Sequence, residues 1–196
     1  MQEKYMLILT DTFEEVEAIT QVDFLRRATI LIDMISITGS LNVTSNRGIT
    51  ILADDLIENV NLDDYSGIII PGGLPAAFNI RDDKRVLDII RKFDSEKKLI
   101  AAICAGPSVL AKAGILSKKN ATIFPGMEKE LLDANFVNDA ICVVDNIITA
   151  RGAGLSLEFA YTLVRKIKGK VQEKQLRAAS VDNLLREFIL KEENNG

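Results

Sequence analysis

Short apolar runs alternate with longer amphipathic stretches along this chain, the pattern of a parallel sheet covered by helices on both faces. Tyr5 to Leu9 predicts a first strand. Thr12, with Glu15 three residues on, reads as a capping box for a helix reaching Arg27, in which Val16, Ile19, Val22 and Leu25 recur at helical spacing. Leu31 to Ile37 predicts a second strand, and Asn42 to Ala53 holds Asn46-Arg47-Gly48 between two alternating segments, which predicts a small hairpin. Gly67 to Ile70 is apolar throughout, as in a strand buried on both faces, and Pro71-Gly72-Gly73 stops it. Asp83 to Asp94 puts Val86, Ile89, Ile90 and Phe93 on one helical face. Leu99 to Ile103 is a further buried strand, and after it Cys104-Ala105-Gly106 opens helix-like sequence that ends near Gly114.

The remainder predicts a strand over Ala121 to Phe124, a helix over Met127 to Ala134, and a hairpin pairing Ala140 to Val144 with Ile147 to Ala150 around Asp145-Asn146. Helical patterns follow over Leu155 to Ile167 and Val171 to Leu190, with residues 192–196 as a frayed tail. The fold class is α/β, and the 196 residues, 47% hydrophobic, suit one domain, 1–196, around one sizeable core.

Charge and composition narrow the partners. A net charge of −4 argues against a broad footprint for nucleic acid or an anionic membrane, so small molecules or proteins are expected. No apolar stretch approaches the roughly 18 residues of a membrane span. The start, Met1 to Lys4, has no basic region or long apolar core, and a cytoplasmic location is the expectation. Two cysteines and no histidine leave a zinc or copper site short of its usual ligands. Without a nucleotide glycine fingerprint either, no metal or cofactor is expected.

Chemistry concentrates at two turns. A thiol at the strand-to-helix position of Cys104 lies close to helical N–H groups that stabilise a thiolate. No histidine exists to act as its base. Gly72, Gly73 and Ala105 follow buried strands at the same sheet edge, where their N–H groups can hold a developing oxyanion. Glu17, in the first helix, can reach that edge, and burial there would raise its pKa and keep it protonated. Cys142, inside Ile141 to Val144, reads as a buried structural thiol.

These residues resemble a known family. Ala101-Ala102-Ile103-Cys104-Ala105-Gly106-Pro107, Glu14-Glu15-Val16-Glu17, Val22-Asp23-Phe24-Leu25-Arg26-Arg27-Ala28, Ser45-Asn46-Arg47, Pro71-Gly72-Gly73 and Arg151-Gly152-Ala153-Gly154 with Glu158-Phe159-Ala160 together look like the ThiJ/PfpI superfamily, in particular its DJ-one branch. The resemblance implies a flavodoxin-like three-layer α/β/α sandwich, similar to class I glutamine amidotransferases, with a mostly parallel central sheet. It also implies a homodimer, a reactive Cys104 with Glu17 as its protonated partner, oxyanion contacts from Gly72, Gly73 and Ala105, and Arg27 and Arg47 near the dimer interface. Where the protease branch has a histidine after the cysteine, this chain has Ala105, which disfavours a cysteine peptidase. Where animal relatives have a histidine before proline, it has Phe124 before Pro125, which makes the pocket more apolar.

Two functions follow as expectations. One is cofactor-free detoxification or repair of reactive carbonyls, of the glyoxalase or deglycase type, acting on 2-oxoaldehydes or glycated adducts. The other is a redox-sensing stress protein or chaperone in which Cys104 is oxidised to a sulfinic acid.

Overall fold

The computed structural model describes residues 3–195. In chain order its main elements are β1 (Lys4–Leu9), α1 (Glu15–Arg27), β2 (Leu31–Ser36), β3 (Asn42–Thr44), β4 (Thr50–Leu52), β5 (Asp55–Leu56) and β6 (Tyr65–Ile70). These are followed by α2 (Ala76–Asp82), α3 (Lys84–Ser95), β7 (Leu99–Ile103), α4 (Pro107–Ala113), β8 (Asn120–Ala121), β9 (Asn135–Phe136), β10 (Ile141–Val144) and β11 (Ile147–Ala150). Helices α5 (Ser156–Lys168), α6 (Lys170–Ala179) and α7 (Asp182–Asn195) complete the order.

One seven-stranded sheet, in the order β10-β11-β7-β6-β1-β2-β5, forms the middle layer, and only its β10–β11 edge pair is antiparallel. Alternate residues of each strand feed opposite cores. Met6, Ile8, Ile68, Ile70, Ile100 and Ala102 pack with Ile80, Val86, Ile90 and Leu110 of α2, α3 and α4. Tyr5, Leu7, Leu9, Ile69, Ala101 and Ile103 pack with Ala18, Val22, Leu25, Phe159 and Leu163 of α1 and α5. This is the flavodoxin-like sandwich, and it explains the uninterrupted apolar strands: each is covered on both faces.

Several local expectations give way to tertiary effects. The cap of α1 is Glu14, whose side chain accepts from the Glu17 N–H, while Thr12 sits outside the helix at a φ of 67°. The buried stripe of α1 is Ala18, Gln21, Val22 and Leu25, at positions i, i+3, i+4 and i+7, with Glu17 beside it. Val16 and Ile19, expected inside, are 50% and 37% exposed. The expected strand over Ala121 to Phe124 shortens to β8 because the Thr122 N–H goes to the Thr149 hydroxyl and the Phe124 N–H to the Cys104 carbonyl. The expected helix over Met127 to Ala134 is a single 3₁₀ turn, Glu128–Leu131, ended by Leu132 at a φ of 55°.

The last helical pattern breaks into α6 and α7 at Ser180, whose hydroxyl donates back to the Leu176 carbonyl, and Val181, at a φ of 61°. Arg177 fixes this corner: it bonds Glu158, Glu173 and Asp182 at 2.6, 3.0 and 2.8 Å, over the Tyr161 ring. Residues 192–195, expected as a frayed tail, continue α7, and Gly196 lies outside the described residues. No helix among the described residues is long and apolar enough to cross a membrane.

Candidate active site

The carboxyl ends of β6 and β7 meet at a glycine-lined junction. A Cβ at Gly106 would stand 2.7 Å from the Ile70 carbonyl oxygen and 2.9 Å from that of Ile103, so only glycine lets the two strand ends approach this closely. Just before it, Cys104 holds a φ of 62°, a left-handed conformation uncommon for a side-chain-bearing residue. The neighbours impose it. The Cys104 N–H donates to the Ala150 carbonyl at 2.9 Å, and its carbonyl accepts from the Phe124 N–H at 3.0 Å. The thiol is therefore aimed by β11 on one side and by the loop after β8 on the other, and is partly buried.

Glu17 reaches the same point from α1. It is fully buried, and its Oε2 accepts from the Gly72 N–H at 2.8 Å. A Cβ on Gly72 would lie 2.5 Å from Glu17 Oε2 and 2.7 Å from Cys104 Cβ, which places this glycine between the two side chains. Oε1 of Glu17 has no hydrogen-bond partner of good geometry, and the Cys104 thiol is the neighbouring group that acts on the carboxyl. The N–H groups of Ala105 and Gly73 face the sulfur. Gly72, grouped with them from the sequence as an oxyanion donor, has its N–H occupied by Glu17.

Burial dominates the electrostatics. It pushes the Glu17 carboxyl up to about 7, against the lowering contacts of Cys104 and the Gly72 N–H and with help from the charge of Glu14. Burial, then the charge and hydrogen bonding of Glu17, push the Cys104 thiol up to about 12; the Ala105 and Gly73 N–H groups pull the other way but are outweighed. The helical N–H effect expected at this turn thus exists without prevailing. Once Glu17 is protonated its charge no longer opposes a thiolate, so the two groups behave as one proton-sharing unit.

This shift makes stability depend on pH. A carboxyl raised in the folded state favours folding below its unfolded pKa, and that advantage is lost as pH rises through the folded value. From an ordinary value of 4.5 to about 7, the loss is on the order of 3 kcal/mol. With no histidine in the chain, little else titrates in this window. Thermal midpoints of wild type should fall between pH 5 and pH 8.5, and Glu17→Gln should show a clearly smaller fall; equal slopes would contradict the shift.

The other residues singled out from the sequence are more dispersed. Phe124 stands at the rim beside Cys104, 45% exposed, and its ring approaches Gly152; Pro125 is exposed next to it. Arg27 ends α1, paired with Asp23 at 2.8 Å, about 15 Å along the helix from Glu17. Arg47 is exposed in the β3–β4 turn, where its N–H donates to Glu15 Oε1 at 3.0 Å. Cys142 is buried on β10, with its sulfur 3.5 Å from the Asn120 carbonyl and its thiol raised by burial. Sequence reasoning missed Glu14 as a contributor to the site; a capping pattern searched two residues later, at Glu14 and Glu17, would have found it. No group of three metal-ligating side chains occurs among the described residues.

Comparison with known proteins identifies the family. The family model described as the DJ-1/PfpI family matches residues 3–166. The chain is 37% identical over 177 residues to Protein dj-1beta of Drosophila melanogaster, covering 88% of this chain and 95% of the relative. It is 32% identical over 177 residues to the Parkinson disease protein 7 homolog of Danio rerio, covering 88% and 94%. Among solved structures, Drosophila melanogaster DJ-1beta superposes with a TM-score of 0.88 at 33% identity, covering 92% of this chain and 98% of the other. Toxoplasma gondii DJ-1, solved oxidized, gives 0.87 at 32%, covering 91% and 98%. By sequence and by fold, the chain belongs to the DJ-1/PfpI family.

Proposed function

We propose that this protein converts small 2-oxoaldehydes, with methylglyoxal as the probe, or the early adducts they form on proteins, without a cofactor. The observation that carries the reading is the buried Glu17 carboxyl, held protonated up to about 7 beside the Cys104 thiol. The Cys104 thiol, its proton released to solvent, adds through sulfur to the aldehyde carbon while Glu17 gives its proton to the aldehyde oxygen, leaving a hemithioacetal and a Glu17 carboxylate. The Glu17 carboxylate then moves the remaining hydrogen of that carbon, as a proton, to the adjacent carbonyl carbon, and the hydroxyl proton of the hemithioacetal passes to the neighbouring oxygen. The first carbon is thereby oxidised to a thioester and the second reduced to an alcohol, so no external oxidant or reductant is needed. Water cleaves the thioester, releasing a 2-hydroxy acid and restoring the thiol.

The N–H groups of Gly73 and Ala105 would steady the oxygen that carries developing charge next to the sulfur. Phe124 at the rim adds apolar contact without adding a second base. Lactate formation from methylglyoxal by the purified protein, with no thiol cofactor added, tests the reading. Its absence overturns it. A chain without histidine lacks the base that a cysteine peptidase ordinarily uses.

A second reading is favoured by the same sulfur's surroundings and by the oxidized form in which the Toxoplasma gondii relative was solved. Two equivalents of peroxide convert the Cys104 thiol to a sulfinic acid with release of two waters, and protonated Glu17 with the Gly73 and Ala105 N–H groups donates to its oxygens. Mass spectrometry after mild peroxide should find two added oxygens on Cys104 and none on Cys142; equal oxidation of both removes this reading.

We further propose a homodimer through the α1 and β3–β4 face, where Val16, Ile19, Ile49 and Leu52 are 50%, 37%, 53% and 64% exposed. Together with Phe24 and Ile51, the first three line a shallow apolar depression. Sedimentation velocity should show a dimer in wild type and at least ~10-fold weaker association in Ile19→Asp, since a desolvated carboxylate opposes the contact. A wild-type monomer, or an unaffected variant, refutes the assignment. A cytoplasmic location is proposed with it.

A further inference from the structure

We infer that Glu14 is a positioning residue for the Cys104–Glu17 pair: it diverts Glu17 from helix capping, ties α1 to the Gly72–Gly73 turn, and sets how tightly Glu17 holds its proton. The inference rests on reading Cys104 and Glu17 as the reacting pair, and it adds a residue that neither side chain's chemistry requires.

Counting from the cap of α1, Glu14 is N-cap, Glu15 N1, Val16 N2 and Glu17 N3. A glutamate at N3 ordinarily completes a reciprocal capping box: the N-cap side chain accepts from the N3 N–H, and the N3 carboxyl turns back to the N-cap N–H. Here only the first half forms, with Glu14 Oε2 accepting from the Glu17 N–H at 2.7 Å. The second half is replaced, since the Glu14 N–H donates to the Gly72 carbonyl at 3.1 Å. That substitution releases the Glu17 carboxyl from the helix end, and it points instead to the Gly72 N–H and Cys104.

The same two bonds clamp the glycine turn. Gly72 gives its N–H to Glu17 and its carbonyl to Glu14, so both polar groups of one residue are held by α1. Gly73 must also stay bare there: a Cβ on it would lie 2.7 Å from the Glu14 N and 2.5 Å from the Thr12 carbonyl oxygen, at a φ of +97°. The turn whose Gly73 N–H faces the sulfur is thus registered against the helix that carries the acid.

Charge works in the same direction. A helix N-terminus favours an ionised carboxylate in its first turn, which would empty Glu17 of its proton. The like charge of Glu14 opposes that, alongside burial. From other elements, the groups acting on this carboxyl are the Gly72 N–H of the β6–α2 loop and the Cys104 thiol of the β7–α4 turn. Helix α5, packed on α1, brings Ser156 against Gln21, and both are uncharged.

The test is a carboxyl titration by ¹³C NMR on glutamate-labelled protein, with the Glu17 signal assigned by its loss in Glu17→Gln. Wild type should titrate near 7, Glu14→Gln ~1 pH unit lower through loss of the like charge, and Glu14→Asp, which keeps charge and cap, close to wild type. A Glu14→Gln midpoint equal to wild type overturns the inference, as does a Glu14→Asp midpoint displaced as far as that of Glu14→Gln. The readout does not depend on turnover. Absent lactate formation with the Glu14→Gln displacement present rejects the carbonyl reaction and supports this role of Glu14.

Discussion

Replacing Glu17 by glutamine is expected to lower the conversion of methylglyoxal to lactate by on the order of 10²–10⁴-fold, the range by which a positioned proton-transfer group accelerates reactions. The amide oxygen can still accept from the Gly72 N–H, which Glu17 Oε2 now does at 2.8 Å, so the turn and the helix keep their register. What disappears is the carboxylate that carries the proton between adjacent carbons. Cys104→Ala should lack activity altogether, because no covalent adduct can form. The pH profile separates these roles. A limb near 7 in wild type, set by the buried carboxyl, should vanish in Glu17→Gln, whose residual rate then follows the thiol alone. Unchanged turnover in Glu17→Gln would remove Glu17 from the chemistry, whatever its burial.

Gly72→Ala is expected to be nearly as damaging, by a different route. The added methyl would begin 2.5 Å from Glu17 Oε2, 2.7 Å from Cys104 Cβ and 3.1 Å from the Ala105 nitrogen. Real Cβ atoms do not tolerate such approaches, so the carboxyl, the Cys104 side chain or both must move. Overpacking of this kind costs about 1–3 kcal/mol, and displacing a reacting group by about 1 Å costs roughly 100-fold in rate. Gly154→Ala is the control, since nothing lies within 4 Å of its Cβ position, and it should leave the thermal midpoint nearly unchanged. A Gly72→Ala protein with wild-type melting and turnover would show that the turn is looser than its contacts require.

Both predictions concern atoms that only the folded chain brings together, and the division between legible and illegible follows from that. Strands β1, β6, β7 and β11 were readable because near-complete burial on both faces demands continuous apolar sequence, β2 and β10 because most of their residues are apolar although each has an exposed position, and the turns after β6 and β7 because glycine has few substitutes there. Helix α3 was readable because Val86, Leu87, Ile89, Ile90 and Phe93 are all buried on one face. By contrast α1 misled, since its inward stripe carries Gln21 and has the buried Glu17 beside it, while Val16 and Ile19 face outward. A period counted on apolar residues alone rotates such a helix away from its true face. The short β5 and β9 exist only through pairing with neighbours, and the stretch from Thr122 to Leu132 takes its shape from Thr149 and Cys104.

The chain by itself determined that a lone thiol sits at a strand-to-helix turn with no histidine to serve it, and that two glycine turns lie at one sheet edge. Those are matters of residue type and order, which local backbone preference and hydrophobic period encode. Tertiary structure alone decided the rest: that the Gly72 N–H belongs to Glu17 rather than to an oxyanion, that burial raises both the carboxyl and the thiol, and that Glu14 holds the helix and the turn together. Proton affinity depends on desolvation and on charges a few ångströms away, and neither is a property of sequence separation. Residues 14, 17, 72 and 104 become one site only where the carboxyl ends of β1, β6 and β7 converge.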